Sequence, residues 1–167
     1  YYNMHYNKNI TIYALCRSEE RAKKRFASYF KNSNFTFIFQ DITEELNTDI
    51  EFDYIIHAAC SAHPMAYSKD PVGIIRSNVL GTMNLLEYSR LHNVRRLLFI
   101  SSSEVYGENT NIIDGFSEND YGKVDILNPR SCYSESKRLS ENILISYNKQ
   151  YGTDSVIARP GHIYGAA

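Results

Sequence analysis

The sequence has few cysteines, almost no net charge and no long apolar run. Its three cysteines, Cys16, Cys60 and Cys132, form no Cys-x-x-Cys pair, which argues against a disulfide framework and a zinc or other metal site. With 18 basic and 19 acidic residues the net charge is -1, which excludes the electrostatic signature of nucleic-acid or anionic-membrane binding. No segment reaches the roughly 20 apolar residues of a membrane span, and the first residues lack a signal-peptide core. We therefore expect a cytoplasmic protein.

Apolar segments typical of strands alternate with segments of helical periodicity. The predicted strands are 10–15, 35–39, 53–59, 96–101 and 155–158, and the predicted helices are 19–30, 71–92 and 133–151. Because several strands are apolar on both faces, they indicate a parallel sheet covered on both sides. The predicted fold class is α/β, with a Rossmann-like doubly wound parallel sheet.

One feature of such folds is missing, the glycine-rich turn that follows the first strand and binds a pyrophosphate. No Gly-x-Gly-x-x-Gly run occurs, and residues 1–9 resemble the end of the helix that follows that turn. We therefore expect residues 1–167 to be a partial NAD(P)-binding Rossmann domain without its central first strand and without a C-terminal substrate lobe. Alone, these residues are expected to be inactive and marginally stable.

Two motifs carry the chemistry. YSESKR (133–138) places Tyr133 and Lys137 one helical turn apart, where the ammonium can lower the pKa of the phenol from its ordinary value of about 10. By itself such a pair is common on solvated helices. SSSEVYG (101–107) directly follows an apolar strand, where parallel sheets present their ligand sites, although such a serine cluster is more often a turn or helix cap. A long polar loop separates the two motifs, and together they indicate a catalytic site.

The arrangement of Ser102, Tyr133 and Lys137 resembles the short-chain dehydrogenase/reductase superfamily. Further motifs are similar to its extended branch, the NAD-dependent epimerases and dehydratases of nucleotide sugars: Asp41 and Ile42, HAAC (57–60), Asn78 in NVLGT, and RPGHIYG (159–165).

The resemblance implies a role for each accessory motif. Asp41 and Ile42 would contact the adenine, Ala58 and Ala59 would line the cofactor path, and Asn78 would brace the site, with Tyr133 and Lys137 also binding the cofactor. Each has a structural alternative, such as a strand-end cap for Asp41 or small-residue packing for the alanines. His57 is expected to be a packed strand-end residue.

Within this family, SSSEVYG and NPRSCYSESKR (128–138) are similar to the UDP-glucuronate decarboxylases. The mechanism that this implies begins when Tyr133, assisted by Ser102 and Lys137, takes the proton of the sugar 4-hydroxyl while hydride passes from C4 to NAD. The 4-keto sugar then loses carbon dioxide, and hydride returns. Glu104 would have a catalytic or orienting role, and the substrate would contact Ser102, Ser103, Tyr133 and His162.

Three other functions stay open. In the related 4,6-dehydratases an Asp acid stands where Ser103 stands, and a serine hydroxyl has far too high a pKa to replace it, so dehydration ranks below 4-epimerisation and decarboxylation. A function of another class is a non-catalytic NAD(P)-binding sensor. The presence of Ser102, Tyr133 and Lys137 together favours catalysis.

The cofactor and the assembly are also open. Arg17 ends a predicted strand where NAD enzymes commonly have an Asp for the ribose diol, and a guanidinium there would suit the 2'-phosphate of NADP. The resemblance nevertheless implies NAD. His162 replaces an Asn that commonly contacts substrate, which leaves the sugar nucleotide open. By the same resemblance the full-length protein is expected to be a homodimer, through the helices at 71–92 and 133–151.

Overall fold

Parallel strands form two sheets within the residues that the computed structural model describes, which are 2–60, 64–108 and 115–165. β1 (Ile12–Cys16) pairs with β2 (Phe35–Phe39) in the compact unit Tyr1–Glu44. In the unit Glu45–Ala167, β3 (Tyr54–His57), β4 (Arg96–Ile100) and β5 (Ser155–Ala158) pair in that order. Each strand pair is parallel, which confirms the predicted α/β class.

The first unit contains α1 (Tyr2–Tyr6) and α2 (Glu19–Arg25). The prediction of one helix over 19–30 is wrong in its second half, because α2 is followed by a 3₁₀ turn at Ala27–Tyr29. Aromatic packing explains the difference. The rings of Phe26 and Phe30 lie 5.9 and 4.5 Å from the ring of Phe37 on β2, so the chain turns toward that strand instead of continuing the helix.

The first predicted strand is also less buried than its apolar sequence suggested. Ile12 is 49% exposed, and β1 begins there, two residues later than predicted. Among the described residues β1 pairs with β2 alone, so within this unit it is an edge strand, and an edge strand keeps part of its surface open.

The second unit packs two long helices together, α4 (Pro71–Leu91) and α5 (Cys132–Tyr151), after the short α3 (Pro64–Lys69). Asp70 caps α4 by accepting a 3.0 Å hydrogen bond from the N–H of Gly73. Gly152 ends α5 in the left-handed conformation that favours glycine. These bounds agree with the predicted helices to within one residue.

The sheet of this unit has one buried and one open face. Phe99 on β4 and His57 on β3 are paired in register and buried, whereas Ile56, paired with Leu98, is 68% exposed. The described residues of this unit therefore cover one face of the sheet, where the sequence predicted cover on both. No helix among them combines the length and apolar character that crossing a membrane requires.

The polar loop after β4 folds back on itself where the structure describes it. Glu108 and Lys123 form an antiparallel bridge, and Gly122 donates its N–H to the Tyr106 carbonyl at 2.8 Å. A Cβ on Gly122 would lie 2.4 Å from that carbonyl oxygen, so only glycine fits. Arg138 of α5 donates to the carbonyls of Val105 and Gly122, which holds the loop against the helix.

Candidate active site

Ser102, Tyr133 and Lys137 meet where β4 ends and α5 begins. Tyr133 and Lys137 are 6% and 2% exposed, and the Lys137 ammonium lies 5.8 Å from the centre of the Tyr133 ring. The ammonium donates a 2.7 Å hydrogen bond to the Ile100 carbonyl at the end of β4. The Ser102 hydroxyl lies close enough to the Tyr133 phenol to lower its pKa. The structure thus brings together the three residues on which the sequence prediction rested.

Ser102 has the turn-capping role that the sequence left as an alternative, and its catalytic role stays a prediction. Its hydroxyl oxygen accepts a 3.2 Å hydrogen bond from the Glu104 N–H and so caps the 3₁₀ turn Ser103–Tyr106. The same hydroxyl lowers the pKa of the neighbouring Tyr133. Ser103 donates its N–H to the Pro160 carbonyl at 3.0 Å, which joins the serine motif to the RPGHIYG segment, while its residue surface is exposed.

The ionisation of Tyr133 differs from the expectation. Burial raises the pKa of its phenol above the ordinary value, and the neighbouring Ser102 hydroxyl opposes this only in part. Burial likewise lowers the pKa of Lys137. The lowering of the Tyr133 pKa that the Lys137 ammonium could provide is therefore not what this structure has, because desolvation disfavours tyrosinate more strongly than the neighbouring groups favour it. A further positive charge placed next to the Tyr133 ring would lower the pKa of the phenol and so favour tyrosinate.

Asn78 joins α4 to α5 directly behind the two catalytic candidates. It is fully buried, donates a 2.8 Å hydrogen bond to the Ser136 hydroxyl, and accepts one of 3.0 Å at its backbone carbonyl from the Ser140 hydroxyl. Ser136 and Ser140 lie next to Lys137 and one turn beyond it on α5. This geometry supports the predicted bracing role, and contact with a cofactor stays a prediction.

His57 is a packed residue at the end of β3. Its Nε2 lies 3.1 Å from the Thr82 hydroxyl oxygen, and that hydroxyl donates to the Asn78 carbonyl, so Nε2 carries the hydrogen and donates to Thr82. Burial, with a smaller contribution from the Lys137 charge, lowers the pKa of His57 from 6.5 to about 4. His57 is therefore neutral at physiological pH.

This depressed pKa predicts how stability falls in acid. A histidine that is neutral when folded binds its proton first in the unfolded chain, so stability declines as pH falls from 6.5 toward about 4. The shift corresponds to roughly 3 kcal/mol once both states are protonated. We expect His57→Gln to flatten the dependence of the unfolding free energy on pH between 7 and 4 in urea titrations. A slope in His57→Gln equal to that of the parent would contradict the assignment.

Glu104 is held by Arg130, a residue for which the sequence predicted no role. Arg130 donates from both ends of its guanidinium to the two carboxylate oxygens, at 3.0 and 2.9 Å. Such a fork fixes the plane of the carboxylate as well as its position. Glu104 thus lies two residues from Ser102 in a defined orientation, as an orienting or catalytic role requires.

A second ion pair, which was not predicted from the sequence, lies one helical turn beyond Lys137 on α5. Glu141 on α5 accepts a hydrogen bond from the Ser101 hydroxyl at 2.5 Å and a bidentate contact from Arg159, with oxygens 2.6 to 3.2 Å away. The side chains of Arg159 and Glu141 are only 19% and 10% exposed. One signal was available, because Glu141 follows Lys137 by four residues and so lies on the same helix face.

The predicted adenine contacts belong to the first unit. Asp41 accepts from both the N–H and the hydroxyl of Thr43 at 2.9 Å, which is the strand-end cap that the sequence left as an alternative. The Thr43 N–H lowers the pKa of Asp41, and Arg17, 3.7 Å away, adds to the lowering. Arg17 is mostly exposed and Ile42 is half-buried. Contact of these residues with adenine stays a prediction.

The remaining candidates lie at the surface. Ala58 and Ala59 follow β3 and are exposed, as residues that line a ligand path should be. His162 is exposed in the segment after β5, and its contact with substrate stays a prediction. Among residues 2–60, 64–108 and 115–165, no group of three or more His, Cys, Asp or Glu side chains could hold a metal ion.

Comparison with known proteins decides the family. The profile of the NAD dependent epimerase/dehydratase family matches residues 5–167. The chain belongs to this family. It is 38% identical over 144 residues to UDP-glucuronic acid decarboxylase 3 of Arabidopsis thaliana, covering 86% of this chain and 41% of that protein. It is 35% identical over 143 residues to UDP-glucuronic acid decarboxylase 1 of Xenopus tropicalis, covering 86% of this chain and 33% of that protein.

Solved structures of the epimerase/dehydratase family share the fold. The UDP-glucuronic acid 4-epimerase of Bacillus cereus, in complex with NAD, superimposes with a TM-score of 0.73 at 26% identity over 93% of this chain and 49% of that chain. The chain thus spans less than half the length of the relatives that it matches. The superposition agrees with the Rossmann-like fold that the sequence predicted.

Proposed function

We propose that the protein to which this chain belongs is an NAD-dependent enzyme that decarboxylates UDP-glucuronate through a transient 4-keto sugar. The observation that carries the proposal is the contact between Ser102, Tyr133 and Lys137 at the carboxyl end of β4. The similarity to UDP-glucuronic acid decarboxylases supports this choice of substrate and reaction.

Each of the three residues has a task that its surroundings allow. Tyr133 moves the proton of the sugar 4-hydroxyl, and Ser102, which lies beside the phenol, orients that hydroxyl. Among the described residues the Lys137 ammonium donates one N–H to the Ile100 carbonyl. Its other N–H groups can donate to ribose hydroxyls, and its charge can stabilise tyrosinate. Glu104 is held by Arg130 and follows Ser102 by two residues, so its carboxylate lies near the same site.

The residues of this chain fit NAD as the cofactor. The exposed small residues Ala58 and Ala59 follow a parallel strand, and the buried Lys137 lies at the end of the next strand, the place where such sheets bind dinucleotides. When bound, NAD supplies the acceptor and later the donor of the C4 hydride. Asn78 keeps α5 in place behind these groups.

A second candidate function is 4-epimerisation of UDP-glucuronate, favoured by the similarity to the Bacillus cereus epimerase. Dehydration ranks lower because Ser103 offers a hydroxyl where an acid is needed. A non-catalytic NAD(P)-binding sensor ranks last because Tyr133 and Lys137 remain paired. A homodimer built through α4 and α5, and a cytoplasmic location, stay predictions.

One assay separates these functions. The complete protein is incubated with UDP-glucuronate, and carbon dioxide and the nucleotide product are measured. Decarboxylation gives carbon dioxide and a UDP-pentose, epimerisation gives UDP-galacturonate without carbon dioxide, and a sensor gives neither. UDP-glucose is the control, because it has no carboxylate to lose. Absence of carbon dioxide from UDP-glucuronate would overturn the decarboxylase assignment.

We expect the nucleotide extracted from the purified protein to be NAD. Arg17 could favour a 2'-phosphate, but its guanidinium lies 3.7 Å from the Asp41 carboxylate, which offsets part of its charge. Chromatography with mass detection of the released nucleotide distinguishes the two cofactors, with Arg17→Asp as the variant that should exclude NADP most strongly. Recovery of NADP alone from the parent protein would show that Arg17 dominates the choice.

A further inference from the structure

A ring of contacts links Glu104 to Tyr133 through two residues that the mechanism does not use. The guanidinium carbon of Arg130, whose nitrogens hold Glu104, lies 4.4 Å from the centre of the Tyr67 ring. The Tyr67 ring in turn is stacked on Tyr133, with centres 5.0 Å apart. Ser102 completes this set of residues, because it caps the Glu104 N–H and lies beside the Tyr133 phenol.

Stability alone does not account for this arrangement. The side chains of Arg130 and Glu104 are 48% and 37% exposed, and ion pairs that exposed contribute little to folding. The segment before Arg130 is nevertheless ordered, because the Asn128 side chain accepts the Arg130 N–H at 3.0 Å and Ser131 donates to the Asp125 carbonyl at 2.6 Å. The guanidinium is therefore presented from a fixed turn at the start of α5.

We propose that Arg130 and Tyr67 are positioning residues for this site. The guanidinium nitrogens of Arg130 hold the Glu104 carboxylate, and the plane of the guanidinium packs on the Tyr67 ring. The Tyr67 ring in turn packs on the ring of Tyr133. The inference deepens the proposed decarboxylase function and rests on it. It requires that Arg130 act through Glu104 rather than through a contact of its own with the sugar nucleotide.

The test uses variants of the complete protein and steady-state kinetics with UDP-glucuronate. Arg130→Met should lower kcat about 20-fold and change KM less than about threefold, since coupling within one ion-pair network has this order of size. Arg130→Lys should restore little, because an ammonium cannot form the fork. Tyr67→Phe keeps the stacked ring and should keep activity, whereas Tyr67→Leu should lose about tenfold in kcat. Arg96→Met, which breaks the exposed pair with Asp154 at the opposite end of β4, is the control and should behave as the parent does.

A double-mutant cycle separates positioning from other roles. In a Glu104→Gln background, Arg130→Met should lower kcat by less than about threefold, because the partner through which it acts is gone. Full additivity of the two losses, an unchanged kcat in Arg130→Met, or a rise in KM alone would each overturn the inference, the last by indicating direct substrate contact. If the parent releases no carbon dioxide, the proposed function fails and the inference falls with it; if the parent is active, the cycle tests the inference alone.

Discussion

Tyr133→Phe is expected to lower kcat with UDP-glucuronate on the order of a thousandfold while changing NAD affinity less than about threefold, as proton transfer by a positioned group contributes factors of this size. The substitution removes the phenol oxygen, which lies beside Ser102. The ring remains, and its stacking on Tyr67 at 5.0 Å keeps the site in shape. Turnover and the retention of bound nucleotide are measured on the same preparation.

Lys137→Met is compared with Tyr133→Phe for both turnover and NAD binding. It removes a buried ammonium that donates to the Ile100 carbonyl, and it should impair both turnover and NAD binding. Equal NAD affinity in the two variants would contradict the cofactor-binding role of Lys137. Near-parental turnover in Tyr133→Phe would contradict the assignment of proton transfer to Tyr133.

Local pattern was sufficient to predict the elements on which the site stands. The strands at Phe35–Phe39 and Ser155–Ala158 have the bounds that their β-rich sequences predicted. The four-residue spacing of Tyr133 and Lys137 placed them on one helix face, and both are buried there. Such features depend on neighbours within a few residues, which the sequence displays directly.

Contacts between distant segments could not be predicted in the same way. Arg130 pairs with Glu104 across 26 residues, and Arg159 pairs with Glu141 across 18. Which of the many charges meet depends on how α5 packs against β4 and β5, and no local pattern records that packing. The upward pKa shift of Tyr133 was missed for the same reason, because burial is a property of the packed fold.

Removal of Arg159 should produce the largest loss of stability among the variants considered. Arg159→Met leaves the Glu141 carboxylate, which is 10% exposed, with the Ser101 hydroxyl as its remaining hydrogen-bond donor among the described residues. Breaking a buried pair by removing one partner costs about 3 kcal/mol or more, because the remaining charge stays desolvated. We expect a loss of about 3 kcal/mol in the free energy of unfolding, measured by urea titration of the complete protein at a fixed NAD concentration.

Two further variants test whether the stranded charge causes this loss. Arg96→Met breaks the exposed pair between Arg96 and Asp154 and should cost less than about 1 kcal/mol. Glu141→Leu combined with Arg159→Met removes both charges and should be more stable than Arg159→Met alone, since no unpaired carboxylate remains buried. If Arg159→Met cost no more than Arg96→Met, or if the double variant were the least stable of the three, the pair beneath the Ser102 and Tyr133 site would not be the buried ion pair described. The expected order also separates stability from catalysis, because Arg159 and Glu141 lie beneath the reacting groups and their loss should lower the amount of folded enzyme before it changes the chemistry at Tyr133.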